Sequence, residues 1–473
     1  MPLVEKRLNN PLPVLIVLTV ILQASNFVWD WQILRFYDHV NIRNNVDLSD
    51  NAQYSGIATN LLSGNGYAAP LDAWSMREGV PTYYRSPGVP LIYTIPLLLF
   101  SRDSGYRITE SNRMTVWVTL YAFQLFLVCL GTVYFYKICQ LLLSSPFASL
   151  MGTLVYVVWP SNLIYLSAGA GFYPESIVPP LLIWVSYILH SEKRIFYQLL
   201  AGAILGFCIL VRCYLVFVPF FLLLLACLFR NQASFRRLWI AALVAIVVLL
   251  PWPMRNYLLF GDFSLGSQGG WNLLIGNNAT ARGSGDGNIW TAGKWRIQQY
   301  PILKDLNEKY PGLLDGSKHY SEREANKIFQ REAIDLASAN ASVLPWLLGR
   351  KLAILFFPAN FLSEGISWIT AVGFLAFVPG LLLYIARCWN GLESAEFLIL
   401  TVPILCICLV TLVFYAEYRQ RFIMEPFMLL FALYAFRLAA DPVDRYINRI
   451  RWRPPAEERD AARSLLARME SRP

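Results

Sequence analysis

The sequence predicts an all-α polytopic membrane protein, a transmembrane helical bundle with two external loops that contain interfacial helices. Three observations predict it. Of the 473 residues, 56% are apolar and only 15% are charged, against about 25% charged in an ordinary soluble domain. The apolar residues gather in runs close to the roughly 20 residues that cross a bilayer core. Basic clusters punctuate those runs in the pattern expected of cytoplasmic turns. The same figures exclude disorder, because charge is sparse, and a collagen-like chain, because Gly and Pro follow no period.

The elements follow in chain order. Lys6 and Arg7 precede PLPVLIVLTVILQASNFVWDW, read as a retained signal-anchor helix with its N-terminus inside. Further spans are expected at 115–136, 147–166, 174–190, 196–213, 214–229, 238–254, 367–387, 396–415 and 423–440. Two shorter runs, 86–100 and 344–358, hold prolines and read as re-entrant or interfacial helices. Ten spans result, or twelve if both short runs cross. Lys193 and Arg194, Arg230, Arg236 and Arg237, Arg387 and the C-terminal tail face the cytoplasm on this reading.

The chain then divides into six segments. They are an N-terminus and first helix (1–34), a first external loop (35–85) and a membrane bundle (86–256). A second external loop (257–343), an interfacial helix with the last spans (344–440) and a basic cytoplasmic tail (441–473) complete it. Within the second loop, 321–341 reads as an amphipathic helix with Ser321 and Glu324 as a capping box. The eight cysteines all lie in or beside apolar runs and form no metal or disulfide signature.

The first external loop offers carboxylates at Asp47 and Asp50. Asp50, Tyr54, Ala58 and Leu61 follow a helical period that SGNG terminates. Charged residues at the ends of spans are harder to dismiss as structural. Arg85, Arg212, Arg255, Arg419 and Arg421 all fall on the outer side of this topology, with Glu175 and Glu425 among them. Snorkelling accounts for one or two arginines, not five on the side where positive charge is not expected. A buried charge there is costly unless paired, so a bound anion is the economical explanation, and a lipid-linked phosphate has the right charge. The glycine-rich GSQGGWNLLIGNN lacks the Lys-Ser/Thr ending of a nucleotide P-loop, which excludes an ATPase reading. Asn278 and Asn340 open formal glycosylation triplets of little weight.

These pieces, taken in order, resemble the polytopic GT-C glycosyltransferases, specifically the bacterial protein-mannosyltransferase-like and aminoarabinose-transferase-like branch. The resemblance covers most of residues 11–440. It rests on Asp50-Asn51-Ala52-Gln53-Tyr54 followed by Gly64-Asn65-Gly66, on Arg85-Ser86-Pro87 and on Pro251-Trp252-Pro253-Met254-Arg255-Asn256. It continues with Gly276-Asn277-Asn278 and with Arg419, Arg421, Glu425 and Pro426. Asn51 stands where the family often has a second acid, and Met424 where Pro is common.

The resemblance implies transfer of a sugar from a polyprenyl-phosphate donor to a glycolipid, cell-envelope glycan or protein at the outer face of a bacterial cytoplasmic membrane. It implies Asp50 as general base, with Asp47 in reserve. Arg255, Arg85, Arg421, Arg419 and Arg212 would hold the donor phosphate, and Glu175, Tyr54, Asn256 and Asn277 would support the substrates. No metal is assigned, although a divalent cation shared by Asp47, Asp50 and Glu175 stays open. A polyprenyl-linked polysaccharide polymerase or ligase, or a lipid or glycan transporter, are the rival readings. The transporter reading predicts internal repeats, and none is visible.

Overall fold

The computed structural model describes residues 11–41, 50–70, 78–143, 145–165, 174–228, 232–278, 281–284, 301–314, 320–356, 367–390 and 395–451. Asp47 and the tail beyond residue 451 lie outside the described residues. Everything described is helix or connection, with two isolated bridge pairs and no strand among the described residues.

The first long helix, α1 (Leu12–Asn41), packs on α4 (Arg113–Leu143). Between them lie α2 (Asp50–Leu62) and α3 (Gly88–Phe100), which pack against each other. The α3 segment is the short run 86–100, and Pro96 lies inside it. The expected span 147–166 is broken into α5 (Pro146–Val157) and α6 (Pro160–Tyr165). Proline at the start of each piece explains the break, since Pro suits the first helical turn but cannot continue a helix. Next come α7 (Val178–Ser191), α8 (Ile195–Val211), α9 (Phe217–Leu228) and α10 (Gln232–Leu249), with α8 packed on α10. Pro251 then restarts the chain as α11 (Pro251–Phe260), so the helix runs further than the expected 254.

The second polar segment folds as α12 (Gly269–Gly276), α13 (Pro301–Lys309) and α14 (Glu322–Ala339). They enclose a core of their own, including Trp271, Leu274, Leu303, Leu306 and Phe329. The capping box forms as expected: Ser321 Oγ accepts from the Glu324 amide, and Glu324 reaches back to the Ser321 amide. The run 344–358 is α15 (Leu344–Phe356), and the last helices are α16 (Ser367–Trp389), α17 (Val402–Val413) and α18 (Tyr418–Arg451). The triplet asparagine Asn278 is buried and its amide is spent on the carbonyls of Leu274 and Ile275.

Two helices among the described residues are long and apolar enough to cross a membrane alone, Arg113–Leu143 and Arg236–Phe260. Seven shorter apolar helices accompany them, including Ile195–Val211 and Phe397–Val413. At 1.5 Å per residue, a helix of 12 to 17 residues reaches only about 18–26 Å, short of a ~30 Å core. Within the expected span 147–166 the restart at Pro160 leaves two pieces each too short to cross alone. Large apolar side chains cover the outer faces, among them Phe126, Phe147, Phe196, Phe220, Val247 and Leu382, all more than half exposed. Such a surface is stable where lipid, not water, surrounds it.

Candidate active site

The site forms where the short elements meet one end of the bundle. α2 begins at Asp50 and buries Gln53, Tyr54, Ile57 and Ala58, which fixes the direction of its first turn. Arg85 precedes α3, and its backbone carbonyl accepts a hydrogen bond from Tyr67 OH (2.8 Å). α3 then lies close against the end of α8: a Cβ at Gly88 would fall 2.6 Å from the backbone of Leu210 and Val211. That contact brings Arg212, at the C-terminal cap of α8, beside the first-loop residues.

A cavity of about 350 Å³ opens among these elements. Three acid–base pairs line it. Arg85 pairs with Asp50, Arg212 with Glu175 and Arg419 with Glu417. They are not independent, because Arg419 Nη1 also lies 3.5 Å from Asp50 Oδ2. Arg85 donates from Nε to Gln53 Oε1 (2.7 Å) and from Nη1 to Gln268 Oε1 (3.4 Å). Its guanidinium stacks over the rings of Tyr54 and Tyr84, 5.2 and 5.3 Å from the centroids. Arg212 also donates to Tyr54 OH (3.3 Å). Part of the remaining wall is apolar, formed by Val211, Val216, Phe217, Val410, Val413 and Phe414.

The structure gathers Asp50, Arg85, Arg212, Arg419, Glu175 and Tyr54 around one cavity, and Arg255, Arg421, Asn256 and Asn277 do not line it. Arg255 does not line it. Its guanidinium donates to the carbonyls of Thr82 and Tyr67 (3.1 Å each) and to Asn256 Oδ1 (3.0 Å), over the face of Trp252. Asn256 is fully buried and holds the Ser264 carbonyl. Arg421 is buried one helical turn from Glu425 (2.9 Å), which also accepts from the Trp159 indole. Asn277 donates to the carbonyls of Leu273 and Val413 and accepts from the buried Lys351 (2.9 Å). Arg255, Asn256 and Asn277 thus bridge chain segments, while Arg421 pairs within its own helix.

The sequence reading passed over Glu417, Gln268 and Glu322. Glu417 stands two residues before Arg419 in YAEYRQR, and an acid that close to an outer-side arginine pair was a usable signal. Glu322 has no such signal. It is a first-turn residue of an amphipathic helix, yet it is buried and accepts from Thr82 Oγ1, the Tyr83 amide and Ser267 Oγ. Those bonds tie the segment before Arg85 to the segment before Gln268.

Burial raises the Asp50 carboxyl, but the nearby Arg85, Arg419 and Arg212 outweigh it and hold Asp50 below its ordinary value of 3.8. Glu417 goes the other way: burial pushes it above 4.5, the pull of Arg419 only partly offsetting this and Glu175 adding to the rise. Among the described residues no three His, Cys, Asp or Glu side chains are grouped to hold a metal ion. The three cavity carboxylates Asp50, Glu175 and Glu417 each carry an arginine.

Comparison with solved structures places the architecture. The archaeal oligosaccharyltransferase AglB from Archaeoglobus fulgidus, in complex with an inhibitory peptide and a dolichol-phosphate, superposes over 97% of this chain. Its TM-score is 0.50 at 11% identity. The chain has a GT-C-type fold. It spans about half of that enzyme, 54% of its length. The A. fulgidus oligosaccharyltransferase in complex with Zn and sulfate matches over 92% of this chain and 50% of its own, at a TM-score of 0.49 and 12% identity. ArnT from Cupriavidus metallidurans bound to undecaprenyl phosphate gives 0.37 at 13% identity, over 91% of this chain and 78% of its own. No protein-family model and no curated protein matches the sequence.

Proposed function

We propose that the protein is a membrane glycosyltransferase that moves a sugar from a polyprenyl-phosphate carrier to an acceptor at the outer face of a bacterial cytoplasmic membrane. The observation that carries this reading is the meeting of Arg85, Arg212 and Arg419 in one cavity with an apolar wall. A phosphate bridging a sugar and a lipid needs cations beside a greasy exit. Val216 and Phe217, with Phe220 exposed one turn on, face Val413 across the packed pair α9 and α17. A polyprenyl chain would leave along that seam. The fold supports the same reading, since AglB, which shares it, is an oligosaccharyltransferase solved with dolichol-phosphate.

The chemistry follows from the charges. As the bond between the anomeric carbon and the phosphate breaks, the departing phosphate gains negative charge. Arginines placed beforehand stabilise that state more than the intact ester, and guanidinium geometry suits phosphate oxygens. Asp50, held between Arg85 and Arg419, fixes where those two point. Glu175 is almost fully buried and its Oε2 has no hydrogen-bond partner among the described residues. An orphaned carboxylate oxygen beside the cavity is an acceptor for a sugar hydroxyl, because leaving it unpaired is costly.

The test is to incubate purified protein in nanodiscs with undecaprenyl-phosphate monosaccharides carrying ¹⁴C in the sugar, plus lipid, glycan and protein acceptor fractions. Release of undecaprenyl phosphate with label in an acceptor supports the proposal. Donor binding without release, or label crossing a sealed vesicle unchanged, contradicts it.

A further inference from the structure

The two carboxylates of the Arg419 cluster are engaged differently. Both Asp50 oxygens face arginines: Oδ1 pairs with Arg85, and Oδ2 lies 3.5 Å from Arg419. Both contacts from Arg419 to Glu417, at 2.5 and 2.6 Å, fall on Oε1. Glu417 Oε2 takes neither, and Glu417 lines the cavity with its side chain 18% exposed. Both oxygens of Asp50 therefore face an arginine, whereas Glu417 presents one oxygen to Arg419 and keeps the other clear of it.

We propose that Glu417, through Oε2, accepts the proton of the acceptor nucleophile, while Asp50 positions Arg85 and Arg419. This rests on the transferase reading above. The step balances without a further reactant. The acceptor's oxygen or nitrogen attacks the anomeric carbon and forms the new glycosidic bond, and its proton passes to Glu417. The bond from the anomeric carbon to the phosphate oxygen breaks with its electron pair, and polyprenyl phosphate leaves. Glu417 then returns the proton to water or to the departing phosphate.

The surroundings of Glu417 suit the task. It is faced by Arg419 on its own segment, by Glu175 and Arg212, and by the phenols of Tyr415 and Tyr214. Burial and the like charge of Glu175 raise its proton affinity, and Arg419 and Arg212 restrain that rise. A base works best when its proton affinity approaches the operating pH. Asp50 is displaced in the opposite direction.

The experiment compares the pH dependence of transfer by wild type, Glu417→Gln, Glu417→Asp and Asp50→Asn. It uses the undecaprenyl-phosphate sugar and acceptor that wild type turns over, with binding of undecaprenyl phosphate alone measured in parallel. Glu417→Gln retains an amide oxygen for Arg419. It is expected to lower kcat about 100-fold or more, with the donor KM and the undecaprenyl phosphate Kd within about threefold of wild type. Its residual rate loses the fall at acid pH, whereas Glu417→Asp and Asp50→Asn keep that fall. Retention of the acid limb by Glu417→Gln, or its loss in Asp50→Asn alone, overturns the assignment and leaves the transferase reading intact. Absence of transfer by wild type with every donor overturns both.

Discussion

Asp50 Oδ2 lies 3.5 Å from Arg419 Nη1, joining the start of α2 in the first loop to the start of α18. The contact ties two elements far apart in the sequence to one cavity. Through Asp50 it also links Arg419 to Arg85. Two guanidinium groups that would otherwise repel are held side by side around a shared carboxylate.

Removing that carboxylate should misplace both cations. Asp50→Asn is expected to lower sugar transfer about 100-fold, the scale on which a 1 Å misplacement of a reacting group acts. The protein should still insert and fold. Steady-state kinetics on the nanodisc preparation check this, and turnover within threefold of wild type would remove Asp50 from the machinery.

Asp50 should leave no mark on the pH dependence of stability near neutrality. Its carboxyl is held below 3.8 in the folded chain, so the stability its ion pairs contribute is present above 3.8 and lost only as pH falls through the lower folded value. The difference in thermal unfolding midpoint between wild type and Asp50→Asn is expected to stay constant from pH 5 to 8. A difference that shrinks across that window would show that Asp50 titrates within it.

Arg255 should behave as a structural clamp. Arg255→Ala leaves the carbonyls of Thr82 and Tyr67 and the Asn256 side chain without their donor. Lost hydrogen bonds to a charged group and stranded acceptors suggest a cost of about 3 kcal/mol. A lower unfolding midpoint with an unchanged donor KM is expected. A stable variant with a donor KM raised tenfold would return Arg255 to the phosphate site.

Glu322 should be needed for the geometry of the site without touching it. Glu322→Ala strands two hydroxyls and the Tyr83 amide, and about 3 kcal/mol of stability is again the expected loss. Limited proteolysis should show the second polar segment cut faster than in wild type. Equal cleavage rates would mean that the latch is dispensable.

Much of this was legible in the sequence, for identifiable reasons. Helices were announced by apolar runs, and the α14 capping box by the Ser321–Glu324 spacing, because both are local properties. Arg85, Arg212 and Arg419 could be singled out because positive charge beside a span has few bland explanations. Which of the arginines line the cavity was not legible. Arg255 and Arg421 carry the same local signature as Arg85, and only their three-dimensional partners separate them: backbone carbonyls and Asn256 for Arg255, Glu425 for Arg421. The expected span 147–166 is interrupted where Pro160 restarts the helix, whereas the span expected to end at 254 continues through Pro251 to Phe260. Close approach is equally hidden. A Cβ at Gly276 would lie 1.7 Å from the Phe414 carbonyl oxygen, a constraint set by residues far along the chain.

The most direct test of the central claim is transfer itself, measured with ¹⁴C-labelled undecaprenyl-phosphate monosaccharides on wild type and on Arg85→Ala, Arg212→Ala and Arg419→Ala. The account predicts one donor whose label moves to an acceptor with release of undecaprenyl phosphate, and a loss of at least tenfold in kcat/KM for each arginine variant. Transfer that is indifferent to all three arginines, or no transfer from any donor by wild type, would contradict it.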